Sequence, residues 1–295
     1  MVAAVAGAAL TLPVMPSAGA GTDCVPWTKQ QVAQGFGPLE NLAFDGRGGV
    51  LLSQQSVAGG GGSLQRLGAD GSRSVAAADV DGPGAVVIGG ATAYFTTGNS
   101  VAGLLSDTGT ISALDLDTGA VRTVASGLTM PNGLARLPGG DFVVSRDLGP
   151  RAVLTRVTAD GTRTPFATSI TSTNGLVYSP RHDRLFVSTS FDPTTTVAAV
   201  DISDPSAPPA RLEVPGYGPA NSADDLTIGP DGRIYLALNA AGAIDRIDQD
   251  TGAVCTIADG LPLTSSVRFG AGRGWDVDAI YATSFLGTVT RIARA

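Results

Sequence analysis

The sequence predicts an all-β protein, a six-bladed β-propeller whose ring is closed by an N-terminal strand in the last blade. Three observations lead to this prediction. The 295 residues include 40 glycines and 18 prolines, a composition typical of many short strands joined by turns. One pattern of four β-rich runs recurs in six copies with a period of about 40 to 50 residues. The sixth copy stops after its third run, at Ala295, so its fourth strand must come from elsewhere or leave an unpaired edge.

Each copy contains a first hydrophobic run, a Gly/Pro/Asp turn, a second run, a variable loop, a third run, a DxxTG-like turn and a fourth run. The clearest copies begin with NGLARL, NGLVYS, DDLTIG and ENLAFD, and the weaker ones begin with GAVVIG and SSVRFG. Four strands repeated at this period are typical of propeller blades, whereas solenoids have shorter repeats or helical pairs. No helical periodicity of 3.6 residues competes with this pattern.

The N-terminal part of the chain differs from the rest. Residues 1–20 are predicted to be a secretory signal-like segment, and residues 21–295 a single propeller domain. An uncharged, mostly apolar run precedes Ala18-Gly19-Ala20, an A-x-A cleavage pattern, although the usual basic region is missing. We expect a secreted or periplasmic protein, and the alternative is a disordered apolar tail. No other stretch approaches the roughly 18 apolar residues of a membrane span.

The missing strand of blade six is predicted just after this segment. The stretch CVPWTKQQVAQGFGPLENL aligns with AVRTVASGLTMPNGL, a fourth strand plus the start of the next copy. Cys24 then lies on the outer strand of blade six, and Cys255 lies on that of blade five. Two free cysteine thiols are less expected in an oxidising compartment, so we predict a Cys24–Cys255 disulfide between neighbouring blades.

One register of the repeat carries polar residues in most copies. The innermost strand of a blade lines the central channel, and its first residue lies at one end of that channel. This position, two residues before a shared hydrophobic residue, is held by Glu40, Gly84, Asn132, Asn174, Asp224 and Ser265. Each Asn-Gly pair alone would predict a turn, but four oxygen-bearing side chains in one register predict a ring. Because side chains alternate along a strand, Asp225 is expected to point away from the axis.

The ring predicts a metal site. Carboxylates at short range repel one another unless a cation intervenes. A set of oxygen ligands without Cys or His selects a hard cation and argues against zinc or copper. Calcium takes about 6–8 oxygens, so four protein ligands leave positions for water and substrate. We therefore predict Ca²⁺, or another divalent metal, on Glu40, Asn132, Asn174 and Asp224.

The loops between second and third strands are expected to surround the metal and bind substrate. Arg146 has two interpretations, a partner for a substrate carboxylate or phosphate and an ion-pair partner of Asp147. Two Gly-rich segments, 56–63 and 96–110, are candidates for a lid. A mixed aromatic and amide lining favours a moderately apolar ester or lactone over a free sugar. The predicted substrate residues are Gln54, Asn99, Arg146, Asp147, Phe191, Tyr217, Asn239, Ser265 and Phe285.

The segments LENLAFD, MPNGLARL, STNGLVYS and SADDLTIGPDGRIYLAL resemble the senescence marker protein/gluconolactonase family and its relatives, among them diisopropyl fluorophosphatase and the paraoxonases. The resemblance covers essentially residues 24–295. It implies a catalytic divalent metal, usually calcium, on the four ring residues, and hydrolysis of lactones or, in some members, organophosphates. It also implies that Asp224 acts as base or nucleophile.

The chain departs from the family in three respects. The blade-five motif usually reads Asp-Gly, where this chain has Asp224-Asp225. Paraoxonases use a His pair, but the single histidine here, His182, is predicted in a surface turn on the opposite face. Most gluconolactonase relatives are cytosolic, whereas this chain carries an export-like segment.

The sequence thus predicts a secreted calcium-dependent hydrolase of lactonase or arylesterase type, with Asp224 and Glu40 as its catalytic residues. Two other classes stay open: a secreted binding propeller whose metal is structural, and an isomerase or condensing enzyme on the same scaffold. The partner we expect is a small-molecule substrate. With a net charge of −7 and no cluster of Lys and Arg, neither nucleic acid nor a membrane is expected to bind.

Overall fold

The predicted six-bladed propeller is confirmed. A computed structural model of the protein describes residues 24–56, 61–146, 148 and 153–295. These residues form six four-stranded antiparallel sheets, each one blade. Helix in this part of the chain is restricted to a 3₁₀ turn, Val101–Leu105, and a one-turn helix α1, Gly218–Asn221. The predicted signal-like segment lies outside the described residues.

The strands follow one another outward from the channel within each blade, except in the last. The first strand of the chain is β1 (Thr28–Ala33). Blade one has β2 (Leu39–Phe44), β3 (Gly49–Gln54), β4 (Gly62–Gly68) and β5 (Arg73–Val80). Blade two has β6 (Val86–Gly89), β7 (Thr92–Thr97), β8 (Gly109–Asp115) and β9 (Val121–Leu128). Blade three has β10 (Pro131–Arg136), β11 (Phe142–Arg146), β12 (Leu154–Val157) and β13 (Arg163–Phe166).

The second half of the ring repeats this order. Blade four has β14 (Thr173–Ser179), β15 (Arg184–Thr189), β16 (Thr194–Asp201) and β17 (Ala210–Tyr217). Blade five has β18 (Ala223–Ile228), β19 (Ile234–Leu238), β20 (Ala243–Ile247) and β21 (Val254–Ala258). Blade six has β22 (Thr264–Phe269), β23 (Ile280–Ser284) and β24 (Thr288–Ala293), and its order β22-β23-β24-β1 is completed by the N-terminal strand.

The predicted ring closure and disulfide are both present. Strand β1 pairs antiparallel with β24, with Thr28 opposite Ala293. Cys24 and Cys255 form a disulfide with a Cα–Cα distance of 5.6 Å. Just beyond Cys24, the backbone N–H of Trp27 donates to the carbonyl oxygen of Ile257 at 2.7 Å. The N-terminal segment therefore joins blade six to the outer strand of blade five.

The hydrophobic core is divided among the spaces between blades. Each of six clusters of buried residues combines side chains from two neighbouring blades. Between blades three and four, for example, Val143 and Leu154 pack with Leu176 and Val187. Apolar side chains fill these spaces and leave the channel wall to polar groups. No helix in the described part of the chain is long and apolar enough to span a membrane.

A hydroxyl group on the second strand of a blade fastens that blade to the next inner strand. The four hydroxyl-bearing residues occupy equivalent positions in the repeat. Each comes directly after the second-strand residue that pairs with the shared hydrophobic residue of the inner strand. Each donates to a backbone carbonyl oxygen at the ring position of the next blade, at 2.5–2.7 Å. The pairs are Ser53–Gly84, Thr96–Asn132, Ser145–Asn174 and Ser188–Asp224. We call these four hydrogen bonds the inter-blade latches.

The other two blade junctions use different groups. Blade six has Thr283 in this register, and its hydroxyl lies 3.0 Å from the Ser265 hydroxyl, which donates to the carbonyl oxygen of Leu39 at 2.6 Å. Blade five has Ala237 in the same register. A methyl group cannot donate a hydrogen bond, so the junction between blades five and six must be held in another way.

Removing a latch hydroxyl should destabilise the ring. In Ser145→Ala, the buried carbonyl of Asn174 and the N–H of Gly133, which donates to Ser145 Oγ at 2.7 Å, lose their partner. We expect the free energy of unfolding in urea to fall by about 1–3 kcal/mol, the penalty of buried unsatisfied polar groups. Ser112→Ala is the control, because the buried Ser112 hydroxyl bonds a Thr110 hydroxyl that also contacts Thr97. An equal loss in both variants would contradict the latch role.

The disulfide should contribute through the long loop that it closes. Cys24 and Cys255 are 231 residues apart, and the chain-entropy model gives at most about 5 kcal/mol for such a loop. We expect the Cys24→Ser/Cys255→Ser variant to fold, because β1 still pairs with β24, but to unfold at lower urea concentration. Reductant should destabilise the wild type to the same level and leave the variant unchanged. Two thiols that react with an alkylating agent in unfolded, non-reduced protein would rule the bond out.

Candidate functional site

The predicted ring residues converge. Glu40, Asn132, Asn174 and Asp224 each occupy the second position of an inner strand, in β2, β10, β14 and β18. All four line one cavity of about 280 Å³. Their side chains are mostly buried, between 4% and 7% exposed. The cavity lies at the end of the channel where the inner strands begin.

A chain of hydrogen bonds orients the ring amides. Asn132 Nδ2 donates to Asn174 Oδ1 at 2.9 Å, and Asn174 Nδ2 donates to Ser190 Oγ at 3.0 Å. Ser190 Oγ in turn donates to the carbonyl oxygen of Ala223 at 2.6 Å. The amide nitrogen of Asn174 is thus directed toward blade five, and its oxygen is directed toward Asn132.

One of the two ring carboxylates is also held by an amide. Asn239 Nδ2 donates to Asp224 Oδ2 at 3.2 Å. Asn239 follows β19 in the loop toward β20, and its backbone N–H donates to the carbonyl oxygen of Ser222 at 2.9 Å. This loop therefore fixes one oxygen of the Asp224 carboxylate.

The two Asn-Gly pairs lie inside strands and are not turns. Gly133 and Gly175 belong to β10 and β14, and both are required by close backbone approach. A β-carbon on Gly133 would lie 2.2 Å from the carbonyl oxygen of Asn174, and one on Gly175 would lie 2.5 Å from the Cα of Asp225. Neighbouring inner strands can meet here only because the residue after each ring amide has no side chain.

A left-handed residue precedes the ring position in five blades. The residues two places before it have φ between 42° and 55°. Such backbone is costly for residues other than glycine and is concentrated at functional sites. The turn directs the chain from the outer strand of one blade into the inner strand of the next. The five residues are Gly82, Met130, Ser172, Ser222 and Leu263.

Four predicted substrate residues line the cavity with the ring: Asn99, Phe191, Asn239 and Phe285. Sequence reasoning missed five others. Met130 and Ser222 were accessible from the register, because each lies two residues before a ring residue. The residues Gln55, Ser56 and Ser100 lie in loops whose course the repeat does not specify.

Other predicted substrate residues do not line this cavity. Gln54 turns its side chain to the backbone, where its Oε1 accepts from the N–H of Gly37 at 3.0 Å. Tyr217 is 62% exposed at the start of α1. Ser265 is fully buried in the blade junction described above. Asp147 lies outside the described residues.

Arg146 also lies elsewhere. It lines a separate cavity of about 420 Å³ with Thr129 and Arg163, and its Nε donates to the carbonyl oxygen of Leu148 at 2.8 Å.

Gly84 holds the ring position of blade two without a side chain, and a β-carbon there would lie 2.5 Å from Thr96 Oγ1. Blade two therefore contributes no side chain to the ring.

The lid candidates border the same end of the channel. Segment 96–110 contains the 3₁₀ turn Val101–Leu105, with Ser100 Oγ accepting from the N–H of Gly103 at 3.3 Å. Asn99 and Ser100 of this segment line the cavity. In segment 56–63, residues 57–60 lie outside the described part of the chain.

The alternation of a regular strand predicts that Asp225 points away from the channel, and this prediction is wrong. Asp225 Oδ2 accepts a hydrogen bond from Asn41 Nδ2 at 2.8 Å, although blade six stands between blades five and one. The pairing of β18 with β19 shifts register between Ala223 and Leu226. A bulge of this kind interrupts the alternation, so consecutive side chains both face inward.

The oxygen donors fit a hard divalent cation such as calcium. Glu40 and Asp224 offer carboxylate oxygens, and Asn132 and Asn174 offer amide oxygens around one cavity. These are the ligand types that calcium prefers. Within the described residues, no group of three or more His, Cys, Asp and Glu side chains is placed to hold a metal. A cation on this ring would therefore be shared by two carboxylates and two amides.

Two framework groups have a pKa that is shifted by burial. Burial raises the pKa of Asp245 and raises that of Tyr235 to about 12. The Asp245 carboxylate accepts from Thr256 Oγ1 at 2.6 Å, and Tyr235 packs against Trp27. His182 lies in the turn between β14 and β15, with Nδ1 3.1 Å from Ser179 Oγ.

Comparisons with known proteins agree with this architecture. Residues 140–285 match the family model described as the SMP-30/Gluconolactonase/LRE-like region. A search of curated proteins gave no significant match. A luciferin-regenerating enzyme superposes with a TM-score of 0.68 at 16% identity, covering 90% of this chain and 95% of that one. A protein provisionally named a gluconolactonase gives 0.67 at 17% identity, covering 92% and 94%.

A third similar structure is an enzyme of another class. Virginiamycin B lyase from Staphylococcus aureus superposes with a TM-score of 0.62 at 13% identity, covering 91% of this chain and 100% of that one. Identities this low establish the fold alone. Together with the family-model match, they confirm the resemblance of this chain to the SMP-30/gluconolactonase-like six-bladed propellers.

Proposed function

We propose that the protein is a secreted, calcium-dependent hydrolase that opens a lactone or cleaves an ester or organophosphate. One observation carries the proposal: two carboxylates and two amides from four different blades line a single cavity. The match of residues 140–285 to a family that includes gluconolactonases supports a lactonase-type enzyme.

The ring residues would hold the cation, and other divalent metals are alternatives to calcium. When bound, calcium would polarise the substrate's carbonyl or phosphoryl oxygen and stabilise the negative charge that develops there. Asn132 and Asn174 would supply neutral ligands whose orientation is fixed by their mutual hydrogen bond. Glu40 and Asp224 would supply the charge that selects a divalent cation.

Asp224 is the general base in this proposal. It accepts a proton from water as the water oxygen bonds to the carbonyl carbon. The bond to the leaving oxygen then breaks, and that oxygen takes the proton. Asn239 donates to one carboxylate oxygen of Asp224, which helps to fix the orientation of the carboxylate. A base and its water must lie within hydrogen-bond reach, and this fixed orientation serves that requirement.

The cavity lining favours an uncharged substrate. Of the described residues that line it, only Glu40 and Asp224 are ionisable, and both are acidic. The bound cation would balance the charge of these two carboxylates, and the lining offers no Lys or Arg to attract an anionic substrate. Met130, Phe191 and Phe285 add apolar surface. A neutral lactone, ester or phosphotriester with an apolar substituent fits both properties.

Lyase chemistry like that of the similar S. aureus enzyme has less support. A variant of that lyase in which a histidine is replaced by alanine is catalytically inactive. This chain has one histidine, and it lies in the turn between β14 and β15, away from the end of the strands where the ring forms.

Export is proposed from the signal-like segment and from the Cys24–Cys255 disulfide, which is typical of oxidising compartments.

Removing a ring carboxylate should weaken cation binding and lower turnover. We expect Glu40→Gln and Asp224→Asn to weaken calcium binding at least about 100-fold, because ligand charge sets affinity. We expect kcat/KM for lactones and aryl esters to fall roughly 10²–10⁴-fold in Asp224→Asn. Titration calorimetry and a substrate panel, with and without chelator, measure these effects. Asp141→Asn is the control, since Asp141 pairs with Arg156 at the other end of blade three.

Two results would contradict the proposal. Wild-type calcium affinity and turnover in both ring variants would show that the site is wrongly assigned. Metal binding that stabilises the fold, combined with no turnover on the whole panel, would favour the binding-propeller alternative.

Phe191 should contribute to the recognition of an apolar substituent. It is 44% exposed at the cavity, so Phe191→Ala removes about 1 kcal/mol of apolar contact and should raise KM for aryl esters about 5-fold. We expect a smaller change for gluconolactone, which lacks such a group. Val277→Ala, in the exposed turn between β22 and β23, is the control. Equal effects on both substrates would contradict this role.

A further inference from the structure

A second polar cluster lies beneath the ring, in the half of the channel formed by blades five, six and one. It consists of Asn41, Asp225, Ser266 and Arg268, and we call it the floor cluster. Asn41, Asp225 and Ser266 each directly follow a residue at the ring position. Their side chains are buried, with residue exposures of 3%, 5% and 0%.

Asp225 is the centre of this cluster. Its Oδ2 accepts from Asn41 Nδ2 at 2.8 Å and from Ser266 Oγ, and it forms an ion pair with Arg268 Nη1 at 2.6 Å. Arg268 Nη1 also donates to the carbonyl oxygen of Leu226 at 3.0 Å. One carboxylate oxygen therefore joins side chains from blades one, five and six.

Asn41 extends the cluster to a fourth blade. Its Oδ1 accepts from the backbone N–H of Val86, at 3.2 Å, in the inner strand of blade two. This amide thus joins the strand that carries Glu40 to the adjacent blade two and, across blade six, to blade five.

The floor cluster lies where the series of latches is interrupted. Ala237 leaves the junction between blades five and six without a latch hydroxyl. The bonds from Ser266 to Asp225 and from Arg268 to Leu226 cross this same junction. Side chains in the channel thus replace the hydroxyl that the other junctions place on the second strand.

Two residues of the floor cluster directly follow the ring carboxylates in the chain, whereas glycines follow the ring amides. Asn41 is covalently bonded to Glu40, and Asp225 is bonded to Asp224. The residues after the two ring amides are glycines, held by backbone contact. The hydrogen bond from Asn41 to Asp225 therefore joins the two strands that carry the ring charge, across the intervening blade six.

We propose that the floor cluster is a positioning device that fixes the separation and orientation of Glu40 and Asp224, and thereby sets the cation affinity of the ring. The charge of Asp225 is matched by Arg268, so the cluster adds little net charge beneath the ring and acts through geometry. The inference rests on the proposed metal-dependent function. A cluster that only stabilised the fold would affect unfolding but not metal binding.

The test measures metal affinity separately from stability. Tb³⁺ luminescence, with Ca²⁺ as competitor, reports occupancy of the ring without any substrate. We expect Asn41→Ala and Arg268→Met to weaken Tb³⁺ and Ca²⁺ binding about 10- to 100-fold, the usual effect of removing a group that orients metal ligands. Arg268→Lys keeps a charge donor for Asp225 and should recover part of the affinity. Asn41→Ser is a milder variant should Asn41→Ala not fold.

Arg66→Met is the matched control. Arg66 Nε forms an ion pair at 2.6 Å with Asp45, which comes directly after β2 and whose side chain is only 2% exposed. Replacing Arg66 therefore breaks a similarly buried ion pair that is remote from the ring. We expect Arg66→Met to lower Tm as much as Arg268→Met while leaving Tb³⁺ affinity within twofold of the wild type. The same affinity in the floor variants as in this control would overturn the positioning role. Wild-type protein that binds neither Tb³⁺ nor Ca²⁺ would overturn the proposed function, and this inference with it.

Discussion

The hydrogen bond between a second-strand hydroxyl and the next blade's ring carbonyl is the contact on which the site depends. It ties adjacent inner strands together at the level where their side chains face the cavity. The bond from Ser145 to Asn174 and that from Ser188 to Asp224 each engage the main chain of a ring residue, so the side chain is left to face the axis. The same hydrogen bonds therefore join neighbouring blades and hold the main chain of the ring residues.

Two backbone features convert this contact into a binding site. A left-handed residue two places before the ring position turns the chain into the inner strands of blades two to six. A bulge interrupts the inner strand at the ring position in β2, β10, β14, β18 and β22. In β2 and β18 the bulge allows consecutive side chains to face inward, so Glu40 and Asp224 belong to the ring and Asn41 and Asp225 to the level beneath it. The polar channel is built from local irregularities repeated with the blades, while the regular strands carry the apolar contacts between blades.

Much of this was accessible from the sequence, because the repeat fixes register. The shared hydrophobic residue, such as Leu134 or Leu176, aligned the ring in five blades, and the truncated sixth copy revealed the ring closure and the Cys24–Cys255 pair. The errors fall where register gives no information. The direction of Asp225 depends on a bulge that leaves no mark in the hydrophobic pattern. Arg146 ends β11, and the direction of its side chain depends on the loop that follows, where its Nε donates to the carbonyl oxygen of Leu148.

The ring ligands are held in place in two different ways, which differ in the residue that follows each ligand. Asn132 and Asn174 are followed by glycine, so their strands press together by backbone contact, and a side chain there would clash at 2.2–2.5 Å. Glu40 and Asp224 are followed by Asn41 and Asp225, whose side chains bond one another. Carboxylates that repel each other need their separation held from outside the ring, and a hydrogen-bonded floor with its own ion pair provides this without adding net charge between them. The Asp224-Asp225 sequence, at a position where the family usually has Asp-Gly, thus gives this chain a side-chain support where its amide ligands rely on glycine.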